Sequence, residues 1–253
     1  MNIRSYYLLL IIFLGCMSFA REAIPRLEII EIDKGVFLHK SYSQVEGWGL
    51  VSANGLVVVN DHKAFIVDTP WSDRDTEKLV DWIRSKSYEL LGSISTHSHD
   101  DRTAGIKWLN NHSIPTYATT LTNNILRDKG KAQARNSLEG NENALANGLL
   151  EVFYPGGGHT IDNVVVWLPK HQILFGGCFV RSRETEGLGY IGEAHIDKWP
   201  ASAEKLLTNY SNAKIVVPGH GAVGDVELLR HTKYLAVKAS SKAEKSIAKV
   251  LSE

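Results

Sequence analysis

The spacing of apolar residues along the chain predicts strands that come in groups, with helices after each group. In the first half, runs rich in Val, Ile and Leu predict strands over 36–39, 56–60, 64–68, 91–96 and 114–117. Apolar residues at helical spacing predict helices over 74–86, 103–111 and 121–128. Asn54-Gly55 and Asp61-His62-Lys63 are typical of hairpins, so we expect a turn at each place.

The second half repeats this order of strands followed by helices. Strands are predicted over 149–154, 163–168, 172–175 and 214–217. Helices are predicted over 199–210 and 226–251, and the lysines of 238–249 are expected to form a solvated face. Grouped strands with helices in each half favour an α/β fold in which two β-sheets pack face to face and helices cover both outer faces.

The first twenty residues have the features of a secretory signal peptide. Arg4 precedes a short apolar run over 6–14, and Ser18 and Ala20 are the small residues of a cleavage site. The run is too short for an ordinary membrane span. We therefore expect a mature domain over 21–253 in the periplasm, with no integral membrane span after cleavage. Residues 13–16 match a lipoprotein box only loosely, so lipidation at Cys16 is the less favoured alternative.

Charge and cysteine content narrow the function classes. The chain has 28 Lys and Arg against 28 Asp and Glu and no polybasic run, so we expect no nucleic-acid partner. Of its 2 cysteines, Cys16 belongs to the predicted signal peptide and Cys178 is left alone. A lone thiol in an oxidising compartment is explained either as a metal-bound thiolate or as a buried structural cysteine.

The chemistry suggested by the sequence is concentrated at predicted strand ends. The motif His97-Ser98-His99-Asp100-Asp101 follows the strand over 91–96, and alternate residues of an extended segment share a face. Imidazole and carboxylate are zinc ligands. His159, Cys178 and His220 each follow glycines after another predicted strand. This recurrence predicts a metal site formed by loops at strand ends, and hence a hydrolase.

These motifs resemble those of the class B metallo-β-lactamases, subclass B1, and within it the imipenemases. The resemblance implies an αβ/βα four-layer sandwich with two zinc ions per subunit. It assigns His97, His99 and His159 to the first zinc and Asp101, Cys178 and His220 to the second. Asp101 is also implied as catalytic, because it would orient the attacking water. Asp100 matches no ligand position and is expected to be a structural residue beside the site.

The same resemblance implies the substrate and its contacts. It indicates hydrolysis of the β-lactam amide bond of penicillins, cephalosporins and carbapenems, which confers antibiotic resistance. Trp48 lies in the segment that matches a mobile flap, with a tryptophan of the core as the alternative, and Arg181 would pair with the substrate carboxylate. Tyr190, in the matching second loop, stands where many relatives have an asparagine, and Arg181 stands where many have a lysine. The contribution of Tyr190 to binding the lactam oxygen therefore stays open.

Two alternatives of other classes remain. Thioesterases and lactonases of the same fold usually have a histidine after the motif aspartate and an aspartate that bridges the metals, whereas here Arg102 follows Asp101 and Cys178 is the candidate ligand. Arg102 would then help to hold the thiolate charge, and an ordinary surface arginine is the alternative. The third hypothesis is a non-enzymatic exported zinc-binding protein.

We expect the protein to be a monomer. The remaining polar residues are expected to have structural roles. Asp68 is expected to support the motif loop by hydrogen bonding. Structural or solvated roles are also expected for the other histidines, with His195 the one most able to face the cleft: His39, His62, His112, His171, His195 and His231.

Overall fold

Twelve strands form two sheets in the computed structural model, which describes residues 24–252, with side chains up to residue 245. The predicted signal peptide, with Cys16, lies outside these described residues. The larger sheet has seven strands that neighbour one another in chain order: β1 (Glu28–Asp33), β2 (Val36–Val45), β3 (Gly49–Asn60), β4 (Lys63–Val67), β5 (Glu89–Ile94), β6 (Thr116–Thr119) and β7 (Asn136–Leu138). Its first four strands are antiparallel, and the pairs from β4 to β7 are parallel.

The smaller sheet has five strands in the order β12-β11-β10-β9-β8. Its β11–β12 pair is parallel, and its other pairs are antiparallel. The strands are β8 (Glu142–Leu145), β9 (Leu150–Phe153), β10 (Val165–Leu168), β11 (Ile173–Gly177) and β12 (Ile215–Pro218). A 3₁₀ turn at Ala146–Gly148 joins β8 to β9.

Six α-helices accompany the sheets in the described part of the chain: α1 (Asp73–Ser85), α2 (Asp100–Thr103), α3 (Ile106–Asn111), α4 (Thr120–Asp128), α5 (Trp199–Asn209) and α6 (Glu227–Ser252). Side chains fix where two of them begin. The Ser72 hydroxyl accepts a hydrogen bond from the backbone N–H of Asp75 and caps α1, and Thr119 caps α4 in the same way.

Three hydrophobic clusters define the layers. Between the sheets, Val58 and Phe65 of the larger sheet pack with Val166 and Phe175 of the smaller. The outer face of the larger sheet packs against α1 and α3, and that of the smaller sheet packs against α5 and α6. The order helix, sheet, sheet, helix confirms the predicted α/β four-layer sandwich.

The turn predicted at Asn54-Gly55 is wrong. Strands β2 and β3 pair continuously past these residues, and the hairpin turn lies at 46–48 instead. Asn54 and Gly55 do not reverse the chain. Instead they let other segments pack closely against β3. A Cβ on Gly55 would lie 2.3 Å from Nε2 of His39, and the Asn54 amide donates to two carbonyls at and beyond the end of β12. The turn predicted at Asp61-His62 is confirmed, and both residues have positive φ.

Other differences occur where tertiary contacts override the local pattern. The single helix predicted over 103–111 is divided into α2 and α3 at Gly105, whose N–H donates to the Thr69 hydroxyl at 2.9 Å. A Cβ on Gly105 would lie 2.3 Å from the Thr76 hydroxyl. Strands β1, β7 and β8 were not predicted. All three are sheet edges, so they lack the continuous apolar run of a central strand.

We expect Gly55→Ala to lower the free energy of unfolding by about 1–3 kcal/mol, because the new methyl group would overlap the buried His39 ring and the Val67 carbonyl. Urea unfolding of the metal-free protein measures this. Gly187→Ala is the matched control, since a Cβ there meets nothing within 4 Å. Its effect should stay within about 0.5 kcal/mol. Equal stability of the two variants would contradict the expectation.

Candidate metal centre

The six predicted ligand residues converge on one site. His97, His99 and Asp101 follow β5 at the start of α2. His159 comes from the β9–β10 connection, and Cys178 and His220 follow β11 and β12. Their donor atoms form three overlapping groups, in each of which all atoms lie within 4.8 Å of one another: His97–His159–Cys178, His97–His99–Asp101 and Asp101–Cys178–His220.

Three imidazoles form one half of this centre. The ring centroid of His97 lies 4.7 Å from that of His99 and 5.0 Å from that of His159, and the His99 and His159 centroids are 5.1 Å apart. Nε2 of His159 is 3.2 Å from Nδ1 of His99. The three rings meet edge to face rather than stacking.

Burial keeps two of these imidazoles in the form that binds metal. It holds the pKa of His97 well below its usual value, with further lowering by His159 and His99, and it lowers the pKa of His159 to about 3. Both rings are therefore neutral at neutral pH. Nε2 of His97 is buried and has no hydrogen-bond partner among the described residues. A buried acceptor without a partner is costly, and a metal ion at this point would satisfy it.

Asp101, Cys178 and His220 form the other half. Oδ2 of Asp101 lies 3.2 Å from Nε2 of His220 and accepts a hydrogen bond from the Cys178 thiol, also at 3.2 Å. The Cys178 sulfur is 3.2 Å from the same His220 nitrogen. Carboxylate, thiol and imidazole within contact of one another form a mixed donor set that suits zinc.

Burial and neighbouring charges shift the pKa values of the groups in this second half. Burial alone would raise the pKa of Asp101, but Arg102 and His220 outweigh it, and that pKa lies well below its usual value. Burial raises the pKa of the Cys178 thiol well above its usual value, against the lowering effect of Arg102. Binding of a metal to the sulfur would release this proton. The donor set therefore fits a divalent metal that stabilises a thiolate.

Arg102 connects the centre to the core. Its side chain is fully buried, and its guanidinium donates to Asp101 Oδ2 at 2.9 Å from Nε, to Cys178 Sγ at 3.1 Å and to Asp68 Oδ2 at 3.2 Å. The same group donates to the carbonyls of Asn54 and Gly219. This geometry confirms the expectation that Arg102 lies beside the thiol, and it places one positive charge among two carboxylates and a sulfur.

Asp68 supports the motif loop, as expected. It follows β4 with φ +59°, a left-handed conformation that costs energy for a non-glycine residue. Its carboxylate accepts hydrogen bonds from the backbone N–H of Thr96 at 2.7 Å and from the Thr96 hydroxyl at 2.9 Å. Burial raises the pKa of Asp68 to about 7, although Arg102 lowers it.

The loop that carries His220 is fixed by β3. Nδ1 of His220 donates to the Ser52 carbonyl at 2.6 Å, which leaves Nε2 facing Asp101 and Cys178. The Asn54 amide donates to the carbonyls of Pro218 and Gly221, both at 2.9 Å. Sequence reasoning missed these hydrogen bonds of Asn54 because Asn54-Gly55 has the pattern of a turn.

A cleft of about 670 Å³ opens over the donor atoms. The three predicted substrate contacts all line it, with very different exposure: Trp48 is 58% exposed, Tyr190 48% and Arg181 9%. The exposure of Trp48 excludes a core role for this tryptophan. Three further lining residues were missed by sequence reasoning: Trp71, Lys129 and Glu193. For Trp71, the signal available in the sequence was its position directly after the Thr-Pro turn that follows β4.

The remaining histidines that the contacts describe have structural roles. Nε2 of His39 bonds to the Asp68 carbonyl, His171 pairs with Asp33 at 2.7 Å, and His231 bonds to the Thr185 carbonyl. His195 packs against the glycines before His159, because a Cβ on Gly157 would lie 3.0 Å from that of His195. Its backbone N–H donates to the Gly158 carbonyl at 2.8 Å, so His195 braces the loop that carries His159.

Asp100 is also placed outside the donor groups. Its carboxylate points away to the rim, where it pairs with Lys131 at 2.7 Å. None of the helices in the described part of the chain combines the length and the apolar character that crossing a membrane requires.

Comparison with known proteins agrees with this geometry. A family model described as Metallo-beta-lactamase superfamily matches residues 48–220. A Pseudomonas aeruginosa protein named Metallo-beta-lactamase type 2 is 44% identical over 243 residues, which cover 96% of this chain and 98% of that protein. The solved structure of TMB-1 is 70% identical with a TM-score of 0.85, covering 86% of this chain and 100% of its own. The crystal structure of the DIM-1 metallo-β-lactamase exposed to ceftazidime is 65% identical with a TM-score of 0.86, covering 87% of this chain and 100% of its own.

Proposed function

The chain belongs to the metallo-β-lactamase superfamily, with relatives of class B, subclass B1, and on that premise we propose that it is a dizinc β-lactamase that hydrolyses penicillins, cephalosporins and carbapenems. The observation that carries the proposal is the convergence of six donor residues below an open cleft. Thioester or lactone hydrolysis is not favoured, because Arg102 and Cys178 occupy the discriminating positions.

We assign the donors to two zinc ions. His97, His99 and His159 would hold the first, because their ring centroids lie only 4.7, 5.0 and 5.1 Å apart and Nε2 of His159 lies 3.2 Å from Nδ1 of His99. Asp101, Cys178 and His220 would hold the second, because their donor atoms form one of the three groups in which all atoms lie within 4.8 Å of one another. Three protein ligands leave a position for water or substrate, which is typical of catalytic zinc sites.

The bound metals would supply Lewis-acid chemistry, polarising the lactam carbonyl and stabilising the amide nitrogen as the C–N bond breaks. The residues of the chain supply orientation. The Asp101 carboxylate stays ionised beside Arg102, so it can accept a hydrogen bond from the attacking water and orient it. Arg181 lines the cleft, where its guanidinium would pair with the substrate carboxylate. Trp48 offers apolar contact, and Tyr190 lines the same cleft.

No serine or cysteine nucleophile is needed for this chemistry, so inhibitors that acylate a serine should not block turnover. We also propose export to the periplasm, supported by the signal-peptide features of residues 1–20. Cleavage after Ala20 would leave Cys178 as the one remaining cysteine.

Kinetics on the mature protein test the function. We expect turnover of a penicillin, a cephalosporin such as ceftazidime and a carbapenem, rising when zinc is added, and two zinc ions per chain by metal analysis. A monobactam, a thioester and a lactone complete the panel. Zinc-replete protein that hydrolyses the thioester or lactone and none of the β-lactams would contradict the proposal. Bound zinc without any hydrolysis would indicate the non-enzymatic alternative.

A further inference from the structure

A chain of polar contacts crosses the rim of the cleft, and two of its members, Lys129 and Glu193, have no part in the function just proposed. Nζ of Lys129 lies 2.7 Å from Oε1 and 3.0 Å from Oε2 of Glu193. Oε2 of Glu193 in turn lies 3.0 Å from Nε2 of His99. Three residues from separate parts of the chain thus connect the end of α4, the loop before α5 and the start of α2.

The contact with Glu193 determines how the His99 ring presents its nitrogens. An ionised carboxylate only accepts hydrogen bonds, so Nε2 of His99 must carry the proton that it donates to Glu193. Nδ1 then keeps its lone pair, and this atom faces His159 at 3.2 Å inside the centre. By contrast, Nδ1 of His159 has no hydrogen-bond partner among the described residues. His99 is therefore the imidazole of this trio that a carboxylate orients.

The Glu193 carboxylate also holds the loop over the cleft in place. The described chain between β11 and α5 has no α-helix or β-strand and carries both Arg181 and Tyr190. The Tyr190 ring lies edge to face 5.8 Å from the His99 ring. Lys129 is the C-terminal cap residue of α4, and its N–H bonds back to Ile125, so its backbone gives Glu193 a fixed anchor.

We propose that Glu193, anchored by Lys129, is a positioning residue that sets the His99 tautomer for metal binding and holds the loop carrying Tyr190 over the cleft. The inference rests on the proposed function, because it takes His99 as a zinc ligand. Outer partners of metal-bound histidines fix ring orientation and raise ligand basicity, so their loss weakens metal binding.

Zinc affinity measured by competition with a chromophoric chelator tests the proposal directly. We expect Glu193→Ala to lower the affinity of one of the two sites about 10- to 100-fold. Glu193→Gln keeps an acceptor for His99 and should recover most of that affinity. Lys129→Met should leave affinity within about threefold, because the His99 contact remains, while raising KM for a carbapenem as the loop loosens.

Glu186→Ala is the matched control, an exposed acid on the same loop, and should match the wild type in zinc affinity. Hydrogen exchange across 181–195 reports the loop and should be faster in Glu193→Ala and Lys129→Met. Unchanged affinity at both sites in Glu193→Ala would overturn the proposal while wild-type zinc binding and carbapenem turnover still stood. Failure of the wild type itself to bind zinc or turn over β-lactams would instead contradict the proposed function.

Discussion

Replacing Asp101 with asparagine should lower kcat/KM for a carbapenem about 10²- to 10⁴-fold, the usual cost of losing a positioned acid–base group. Asparagine has the same shape, so packing is kept. Its amide is neutral, a weaker metal ligand than a carboxylate and a poorer acceptor for the attacking water. The Arg102 guanidinium and the Cys178 thiol both donate to Oδ2 of Asp101, and the variant offers them one uncharged oxygen at most.

Metal analysis separates this effect from simple misfolding. We expect Asp101→Asn to bind the first zinc and to lose affinity for the second, because Cys178 and His220 would remain with a weakened third donor. Asp100→Asn provides the comparison within the same motif. Its carboxylate pairs with Lys131 on the rim, so this variant should retain two zinc ions. Full second-site affinity in Asp101→Asn would show that the carboxylate is not a ligand.

The contrast between Asp100 and Asp101 shows what the sequence can predict. The motif predicts His97, His99 and Asp101 on one face of an extended segment. In the structure β5 ends at Ile94 and Asp101 lies in α2, so the three donors reach the site because they follow the end of β5 and not through strand alternation. The ends of the other strands place the remaining donors at the same edge of the sandwich. The local pattern is sufficient here because each donor closely follows a strand. The sheet order then fixes where these ends meet, and the structure brings the six residues together as expected.

The residues that support the donors were harder to predict, because their partners are far away along the chain. Asn54 bonds to Pro218, and Glu193 bonds to Lys129 and His99, yet no local pattern marks either side chain. Asn54 was misleading, since the Asn-Gly pair has the composition of a tight turn but lies inside a paired strand. Edge strands were missed for a related reason, since their half-exposed residues carry little periodicity.

Arg102→Met should be the most destabilising substitution at the site. The guanidinium is fully buried and serves Asp68, Asp101 and Cys178 together. Removing one partner from a buried ion pair typically costs about 3–5 kcal/mol, because the other charges stay buried without compensation. For a domain of this size that corresponds to a fall in Tm of roughly 6–20 °C. Thermal unfolding of the metal-free protein measures it, and second-site zinc affinity should fall as well.

The pH dependence of this loss gives a more specific test. Burial already raises the pKa of Asp68 to about 7, above its value in the unfolded chain. The contribution of this carboxyl group to stability is therefore lost as the pH rises from the unfolded pKa to about 7. Without Arg102 the carboxylate resists ionisation further, so the stability gap to the wild type should widen as the pH rises above about 7. Arg84→Met, at an exposed arginine 3.8 Å from Asp81, should change stability by less than about 0.5 kcal/mol at any pH. An Arg102→Met variant that unfolds like this control would contradict the expectation, because it would show that the buried acidic groups need no guanidinium to compensate them.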